Sequence, residues 1–175
     1  GQKSNGMICS LTELGVDKHS LSEKQINGIE VLPADAPVGN SDPLKYLGLD
    51  DVILDIGLTP NRNDCQAAFN MALEIGAILD RPVQIPEFDH VADQGTATQL
   101  KVDSLTAKCP SFLGKVIGSI TIKESPQWMK DLLRASGVHS INNVVDISNI
   151  VMLETGQPMH FYNKDAIHDQ ELTVA

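Results

Sequence analysis

The sequence is most informative over Ile141-Asn-Asn-Val-Val-Asp-Ile-Ser-Asn-Ile-Val-Met-Leu-Glu-Thr-Gly-Gln-Pro-Met-His160. Its apolar residues recur at helical spacing, which predicts a helix from about Asn142 to Glu154. Gly156 suits the left-handed position that ends such a helix, and Pro158 cannot continue one. We expect the rigid turn after this helix to fix the direction of the His160 imidazole.

One face of the predicted helix mixes polar and apolar side chains. Four residues share it at i, i+3, i+4 and i+7 spacing: Val145, Ser148, Asn149 and Met152. In a scaffold interpretation, Ser148 bonds back to the carbonyl one turn earlier and Asn149 meets a neighbouring strand. In a functional interpretation, both line a pocket and His160 is its third polar member. The spacing allows either.

A strand and a second helix are predicted before this one. Val116, Ile120 and Ile122 alternate with polar or small residues, which is typical of a strand. Ser125-Pro126 then offers an N-cap followed by proline at the first helical position, and Gly137 suits the helix end.

A similar pair is predicted earlier in the chain. Alternate residues of one strand share an apolar face: Val52, Leu54, Ile56 and Leu58. Thr59-Pro-Asn-Arg62 turns the chain into a helix whose apolar side chains recur from Cys65 to Leu79. The negative charge of Asp64 suits the positive, N-terminal end of that helix, and Pro82 is expected to end it.

The remaining segments complete a mixed architecture. Residues 1 to about 32 carry short apolar pieces between glycines and predict β-structure and turns. Residues 87–99 are polar and lack a period, so we interpret them as a linker. Strands and helices alternate irregularly, which predicts the α+β class.

Composition limits the function. The chain has 175 residues, 42% of them hydrophobic, and a net charge of −10 from 13 Lys and Arg against 23 Asp and Glu. A chain this acidic does not bind nucleic acid by charge alone, because neutralising phosphates requires clustered Lys and Arg. Its most apolar helical stretch, residues 67–79, is far too short and too polar to span a membrane.

Neither cysteines nor histidines predict a metal site. Three cysteines without a CxxC motif indicate neither a zinc site nor a disulfide framework, so a reduced, cytosolic protein is expected. The other histidines show no ligand spacing: His19, His90, His139 and His168. Walker, GxGxxG, GxSxG and HExxH motifs are absent, which argues against a self-contained nucleotide enzyme. The chain starts without Met and ends in a strand-like run, Glu171 to Ala175, so we expect a fragment of a longer protein.

Arg62 beside Asp64 allows two interpretations. Together at a helix start they could grip a phosphate. The simpler interpretation is an ion pair or a capping role.

Two long motifs carry a family resemblance. Leu58-Thr-Pro-Asn-Arg-Asn-Asp-Cys65 resembles the Leu-Thr-Pro-Asn-Arg-x-Asp-Cys motif of the bacterial phenylalanyl-tRNA synthetase β subunit, and Ile141–His160 resembles another motif of that family. Gly6-Met-Ile-Cys-Ser10, Asp35-Ala-Pro-Val-Gly39 and Cys109-Pro110 fall in the family's order. The resemblance covers essentially the whole chain.

The resemblance implies a place in an (αβ)2 synthetase. The α subunit would hold the aminoacylation site with its ATP and Mg²⁺, and tRNA(Phe) would be the nucleic-acid partner. By resemblance, residues 1–32 end an OB-fold insertion that binds tRNA, residues 33–88 complete the N-terminal domain, and residues 89–97 are a linker. Residues 98–175 begin the editing domain, which hydrolyses tyrosine wrongly attached to tRNA(Phe).

The resemblance also implies site residues. The family's Thr-Asn pair falls on Ser148 and Asn149, and its Gln-Pro-x-His turn places Pro158 and His160 in the editing pocket. His160 would be the catalytic or orienting group, the other three would bind substrate, and no metal is required. The chain departs from the family at three places: Ser replaces Thr at 148, His160-Phe-Tyr-Asn163 replaces His-Ala-Phe-Asp, and Cys109-Pro-Ser-Phe112 replaces Cys-Pro-Arg-Tyr. The family's hydroxyl-reading glutamate would lie past Ala175.

Two other functions remain open at this point. The chain could be a free-standing relative of the editing domain that binds or hydrolyses an amino-acid derivative. It could also be a structural piece that packs against the α subunit and tRNA. The OB-like start and the Leu58–Cys65 motif favour the synthetase fragment, because a free-standing editing domain needs neither.

Overall fold

The computed structural model describes residues 1, 3–88, 95 and 98–175. Apart from Gly95, the predicted linker at 89–97 lies outside the described residues. The chain divides into a first unit, Gly1–Gly57 with Glu124–Ile150, and a second unit, Leu58–Lys123 with Val151–Ala175. Besides short 3-10 helices, the described residues form α1 (Glu23–Ile26), α2 (Pro43–Tyr46), α3 (Ala68–Leu79), β1 (Lys101–Ser104), α4 (Gln127–Ala135), α5 (Asn143–Thr155) and β2 (Glu171–Val174). This mixture confirms the predicted α+β class.

Helix α5 forms where the sequence predicts it. The Asn142 side-chain oxygen accepts hydrogen bonds from the backbone N–H groups of Val144 and Val145, both at 3.1 Å, and so caps the helix start. Gly156 follows the last helical residue with φ +76°. Because both end signals are local, the sequence was sufficient to place this helix.

Helix α4 begins one residue later than predicted. Pro126 has φ −62° and ψ 153°, so it is the extended residue before the helix rather than its first turn. Ser125 therefore does not cap the helix; its hydroxyl donates to Asp146 instead. Met129 and Leu133 are buried, and Gly137 follows the helix with φ +72°, as predicted.

The predicted helix at 65–79 is in fact two pieces. A 3-10 helix covers Pro60–Gln66, and α3 starts only after Ala67, which is extended at φ −80° and ψ 132°. The break is stabilised by Asn70, whose side-chain amide donates to the Asp64 carbonyl at 2.9 Å. Helix α3 ends at Asp80, which is left-handed at φ 51°, shortly before Pro82.

The second unit contains a small parallel sheet. Strand β1 pairs with β2 in the register Lys101↔Glu171 to Ser104↔Val174. This confirms the predicted strand near residue 171. A Cβ on Gly114 would lie 2.6 Å from a methyl carbon of Val102, so the loop can pass this close to β1 only because residue 114 is glycine.

Other predicted strands are wrong for the described structure. Residues 52–58 and 116–122 and the segment before residue 33 form no strand within the described ranges. Val52 and Leu54 are 80% and 69% exposed. Alternation identifies an apolar face, but a strand forms only when a second backbone segment supplies hydrogen bonds. In the segment before residue 33, the Glu30 N–H donates to the Cys9 carbonyl at 3.2 Å, and this single bond does not make a pair of strands.

Candidate functional site

The four predicted site residues fall in both units. Ser148 and Asn149 lie on α5 in the first unit, where Ser148 is buried and Asn149 is half-buried. Pro158 and His160 lie in the irregular segment after α5, in the second unit, and both are exposed. The structure therefore places Ser148 and Asn149 on one turn of helix and gives His160 an accessible imidazole.

The Ser148 hydroxyl is engaged within its own helix. Its Oγ donates to the Val145 carbonyl at 2.6 Å, as the scaffold interpretation predicts. The oxygen keeps its capacity to accept a hydrogen bond, but its proton is committed. The Asn149 amide, by contrast, forms no hydrogen bond to any described residue, and its contact with a neighbouring strand stays a prediction.

One buried polar cluster of the first unit centres on a residue that the sequence reasoning missed. Asp146 is 0% exposed. Its carboxylate accepts hydrogen bonds from the hydroxyls of Ser125 and Ser140, both at 2.5 Å, and from the Ile141 N–H at 2.8 Å. An acidic residue within the apolar run Val144-Val-Asp-Ile147 was the available signal.

The Asp146 carboxylate is held in its charged form. Burial favours the neutral acid, but hydrogen bonds from Ser125, Ser140 and the backbone of Ile141 and Asn142 outweigh it. The pKa of Asp146 therefore lies below its ordinary value. Several donors acting together satisfy one buried charge, as burial of an ion requires.

The end of α5 is fixed inside the second unit. The Gly156 N–H donates to the Met152 carbonyl at 2.8 Å, and a Cβ on Gly156 would lie 3.2 Å from the Cβ of Ala67. The Gln157 N–H donates to the Thr155 hydroxyl oxygen at 3.2 Å. The turn that leads to His160 is thus ordered by local bonds and by close contact with the buried Ala67.

Arg62 forms ion pairs, which confirms the simpler of its two interpretations. Its guanidinium donates to both carboxylate oxygens of Asp64 at 3.1 Å, and to those of Glu74 at 3.0 and 2.9 Å. These bonds, to Glu74 first and Asp64 next, raise the pKa of Arg62 and lower the pKa of each carboxyl group. With two carboxylates bound, the guanidinium has little capacity left for a phosphate.

Burial raises the pKa of the adjacent Cys65 thiol. Among the described residues, no group of three His, Cys, Asp or Glu side chains could hold a metal ion. None of the helices described is both long and apolar enough to cross a bilayer.

A family model matches the second half of the sequence. The B3/4 domain model aligns with residues 108–175. The match includes α4, α5, the turn to His160 and strand β2. All four candidate site residues therefore lie within it.

Curated relatives match nearly the whole chain. The phenylalanine--tRNA ligase beta subunit of Bacillus subtilis is 43% identical over 177 residues, which is 99% of this chain and 22% of that protein. Proteins of the same name from Geobacillus kaustophilus and Idiomarina loihiensis are 40% and 44% identical, over 99% and 95% of this chain. These matches confirm the resemblance drawn from the motifs, and the chain spans about a fifth of the length of these relatives.

Proposed function

We propose that this chain, similar along 99% of its length to phenylalanine--tRNA ligase beta subunits, is a region of such a subunit. It would take part in charging tRNA(Phe) and in removing tyrosine wrongly attached to it. The observation that carries the proposal is an alignment that covers 99% of the chain and so extends far before the B3/4 match at residues 108–175. A free-standing editing domain has no use for that first part, so we favour the synthetase region over it.

We further propose the organisation that the resemblance implies. Residues 1–32 would end an OB-fold insertion that contacts tRNA, 33–88 would complete an N-terminal domain, and 98–175 would begin the editing domain. An α subunit in an (αβ)2 assembly, in the cytoplasm, would hold ATP and Mg²⁺.

Editing answers a physical problem of selectivity. Tyrosine is phenylalanine with one added hydroxyl, and a pocket that merely accommodates an aromatic ring rejects that group imperfectly. A second pocket that binds the hydroxyl can recognise the error and hydrolyse it. The reaction is attack of water on the carbonyl carbon of the ester that joins tyrosine to the terminal ribose, with the ribose oxygen as leaving group.

Each candidate residue has a role that suits its surroundings. The exposed imidazole of His160 would accept a proton from the attacking water or orient that water. The Asn149 amide, unbonded to any described residue, can donate to the ester carbonyl and accept from the substrate ammonium. The Ser148 oxygen can accept one further hydrogen bond, and Pro158 would line the pocket and hold the turn rigid.

The proposal is tested in the full-length β subunit paired with its α subunit. His160→Ala should slow hydrolysis of Tyr-tRNA(Phe) by about 10²-fold or more, and leave synthesis of Phe-tRNA(Phe) unchanged. His168→Ala is the matched control, because its side chain is 94% exposed and its recorded partner is the neighbouring Asp169. Normal hydrolysis by a folded His160→Ala enzyme would contradict the proposal.

A further inference from the structure

Asp146 connects three segments of the first unit through one carboxylate. Ser125 precedes α4, Ser140 and Ile141 lie in the connection between α4 and α5, and Asp146 itself is in the first turns of α5. All three donors bind at 2.5 to 2.8 Å. The carboxylate therefore joins the start of α4, the connection and α5.

The chemistry of this cluster differs from that of ordinary core packing. A fully buried charge is costly, and replacing it by an apolar group of similar size is often neutral or stabilising. The hydroxyls of Ser125 and Ser140 and the Ile141 N–H all donate to the Asp146 carboxylate and so stabilise its charge. Charge-assisted bonds are short and directional, so they constrain orientation more than apolar contacts do.

That constraint acts next to the candidate site residues. Asn149 lies three residues after Asp146, and residues i and i+3 are neighbours on a helix surface. Ser148 lies on the same turn. Three donors on Asp146 resist rotation of α5 about its own axis, and such a rotation would move the Asn149 amide and the Ser148 oxygen.

We propose that Asp146 is a positioning residue for the hydrolytic site, which holds α5 at the rotation that presents Asn149 and Ser148 to the ester. This inference rests on the proposed function. Asp146 is buried and would touch neither the ester nor the water. Its effect would be transmitted through the α4–α5 connection and the first turns of α5.

The test uses Asp146→Asn in the full-length enzyme with its α subunit. Asparagine keeps the size of the side chain but removes the charge and turns one acceptor oxygen into a donor group. We expect kcat for Tyr-tRNA(Phe) hydrolysis to fall between about 10- and 100-fold, the size that a small misplacement can cause, with Phe-tRNA(Phe) synthesis unchanged. Hydrolysis at the wild-type rate by the folded variant would overturn the inference.

A control separates positioning from loss of stability. Ile150→Val removes one methyl from another buried residue of α5, so it lowers stability without touching the carboxylate cluster. Both variants are assayed well below their melting temperatures. If Ile150→Val slows hydrolysis as much as Asp146→Asn does, the role of Asp146 is structural and the inference is wrong.

A second set of variants covers the case in which Asp146→Asn does not fold. Ser125→Ala removes one donor and leaves the carboxylate in place. We expect Ser125→Ala to slow hydrolysis by a smaller factor than that expected for Asp146→Asn. Where Asp146→Asn folds, adding Ser125→Ala to it should slow hydrolysis little further, because the two residues act through one bond. Wild-type hydrolysis by Ser125→Ala and by Ser140→Ala would overturn the inference.

Asn149→Ala distinguishes failure of this inference from failure of the proposed function. If Asn149→Ala slows Tyr-tRNA(Phe) hydrolysis and Asp146→Asn does not, only the positioning role is wrong. If neither substitution changes hydrolysis, the editing role assigned to this face of α5 is wrong as well.

Discussion

The Ser125 hydroxyl donates a 2.5 Å hydrogen bond to the carboxylate of Asp146, 21 positions later in the chain. This bond joins the segment just before α4 to the first turn of α5. The Asp146 carboxylate also accepts from Ser140 and from the Ile141 backbone, so its ionised form is the one that the fold requires.

The stability contributed by Asp146 should depend on pH in a defined direction. Its pKa is lowered in the folded state, from about 3.9 in an unfolded chain. The contribution is therefore fully present above about pH 4 to 5 and is lost as the pH falls through the folded-state pKa. Asp146→Asn should lower the free energy of unfolding by about 1–3 kcal/mol at pH 7. The difference in the free energy of unfolding between wild type and Asp146→Asn should become smaller below pH 4.

Urea denaturation of this chain at pH 7, 5, 4 and 3 measures that difference. Asp103→Asn is the control, because Asp103 is an exposed residue. A gap between wild type and Asp146→Asn that stays constant over this pH range would contradict the assignment of an ionised carboxylate.

Gly76 should be intolerant of a side chain although it lies inside a helix. At an exposed helical position, Gly→Ala stabilises by about 1 kcal/mol. A Cβ at position 76 would overlap a methyl carbon of Val83 and lie 2.9 Å from the Arg81 carbonyl oxygen. We expect Gly76→Ala to destabilise by about 1–3 kcal/mol, measured by thermal unfolding.

Gly118→Ala is the matched control, since a Cβ there meets nothing within 4 Å. It should change stability by no more than about 0.5 kcal/mol. Val83→Ala should restore part of the stability lost in Gly76→Ala. A stabilised Gly76→Ala variant would show that the segment after α3 does not pack as described.

Arg62 should stabilise the junction between the 3-10 helix at Pro60–Gln66 and α3. Arg62→Ala removes bonds to both Asp64 and Glu74, and Arg62→Lys keeps the charge but cannot bind both carboxylates through a fork. We expect the melting temperature to be highest for the wild type, lower for Arg62→Lys and lowest for Arg62→Ala. Because the three side chains are partly exposed, 0.5 M salt should reduce the differences.

Arg81→Ala serves as the comparison for Arg62, because Arg81 is exposed and forms no ion pair among the described residues. If Arg81→Ala lowers the melting temperature as much as Arg62→Ala does, the ion pairs of Arg62 add nothing to stability beyond the effect of net charge.

Ser148 should matter less than His160. Its hydroxyl proton already binds the Val145 carbonyl, so Ser148→Ala removes one uncharged hydrogen bond, a net effect of about 0.5–1.5 kcal/mol. Hydrolysis of Tyr-tRNA(Phe) by the full-length enzyme should therefore fall by less than in His160→Ala. Ser148→Thr keeps the hydroxyl and should retain activity. A loss in Ser148→Ala as large as that in His160→Ala would assign the hydroxyl a direct role.

The sequence predicted most reliably the features that depend on residues close to one another in the chain. The ends of α5 and the C-terminal end of α4 follow from Asn142, Gly156 and Gly137, which act within one turn of the helix they end. The strand at 52–58 was predicted from alternation alone and is absent from the described structure, because strand formation depends on a partner elsewhere in the chain.

The polar network around α5 could be predicted only in part. Spacing identified the face that carries Ser148 and Asn149. It could not show that Asp146 binds Ser125, since that contact joins residues 21 positions apart and depends on how the segment before α4 lies against α5. Asp146 was therefore missed although it lies in the same motif.

The central claim is that the face of α5 that carries Asn149 acts on the ester and that Asp146 holds this face in place, and a double-mutant cycle on Tyr-tRNA(Phe) hydrolysis tests it most directly. Wild type, Asn149→Ala, Asp146→Asn and the double variant are compared in the full-length enzyme, with Phe-tRNA(Phe) synthesis as the control for folding. Residues that act together have strongly non-additive effects. We predict that both single variants slow hydrolysis and that the double variant is little slower than Asn149→Ala. Losses that multiply in the double variant, or wild-type hydrolysis by either single variant, would contradict the claim.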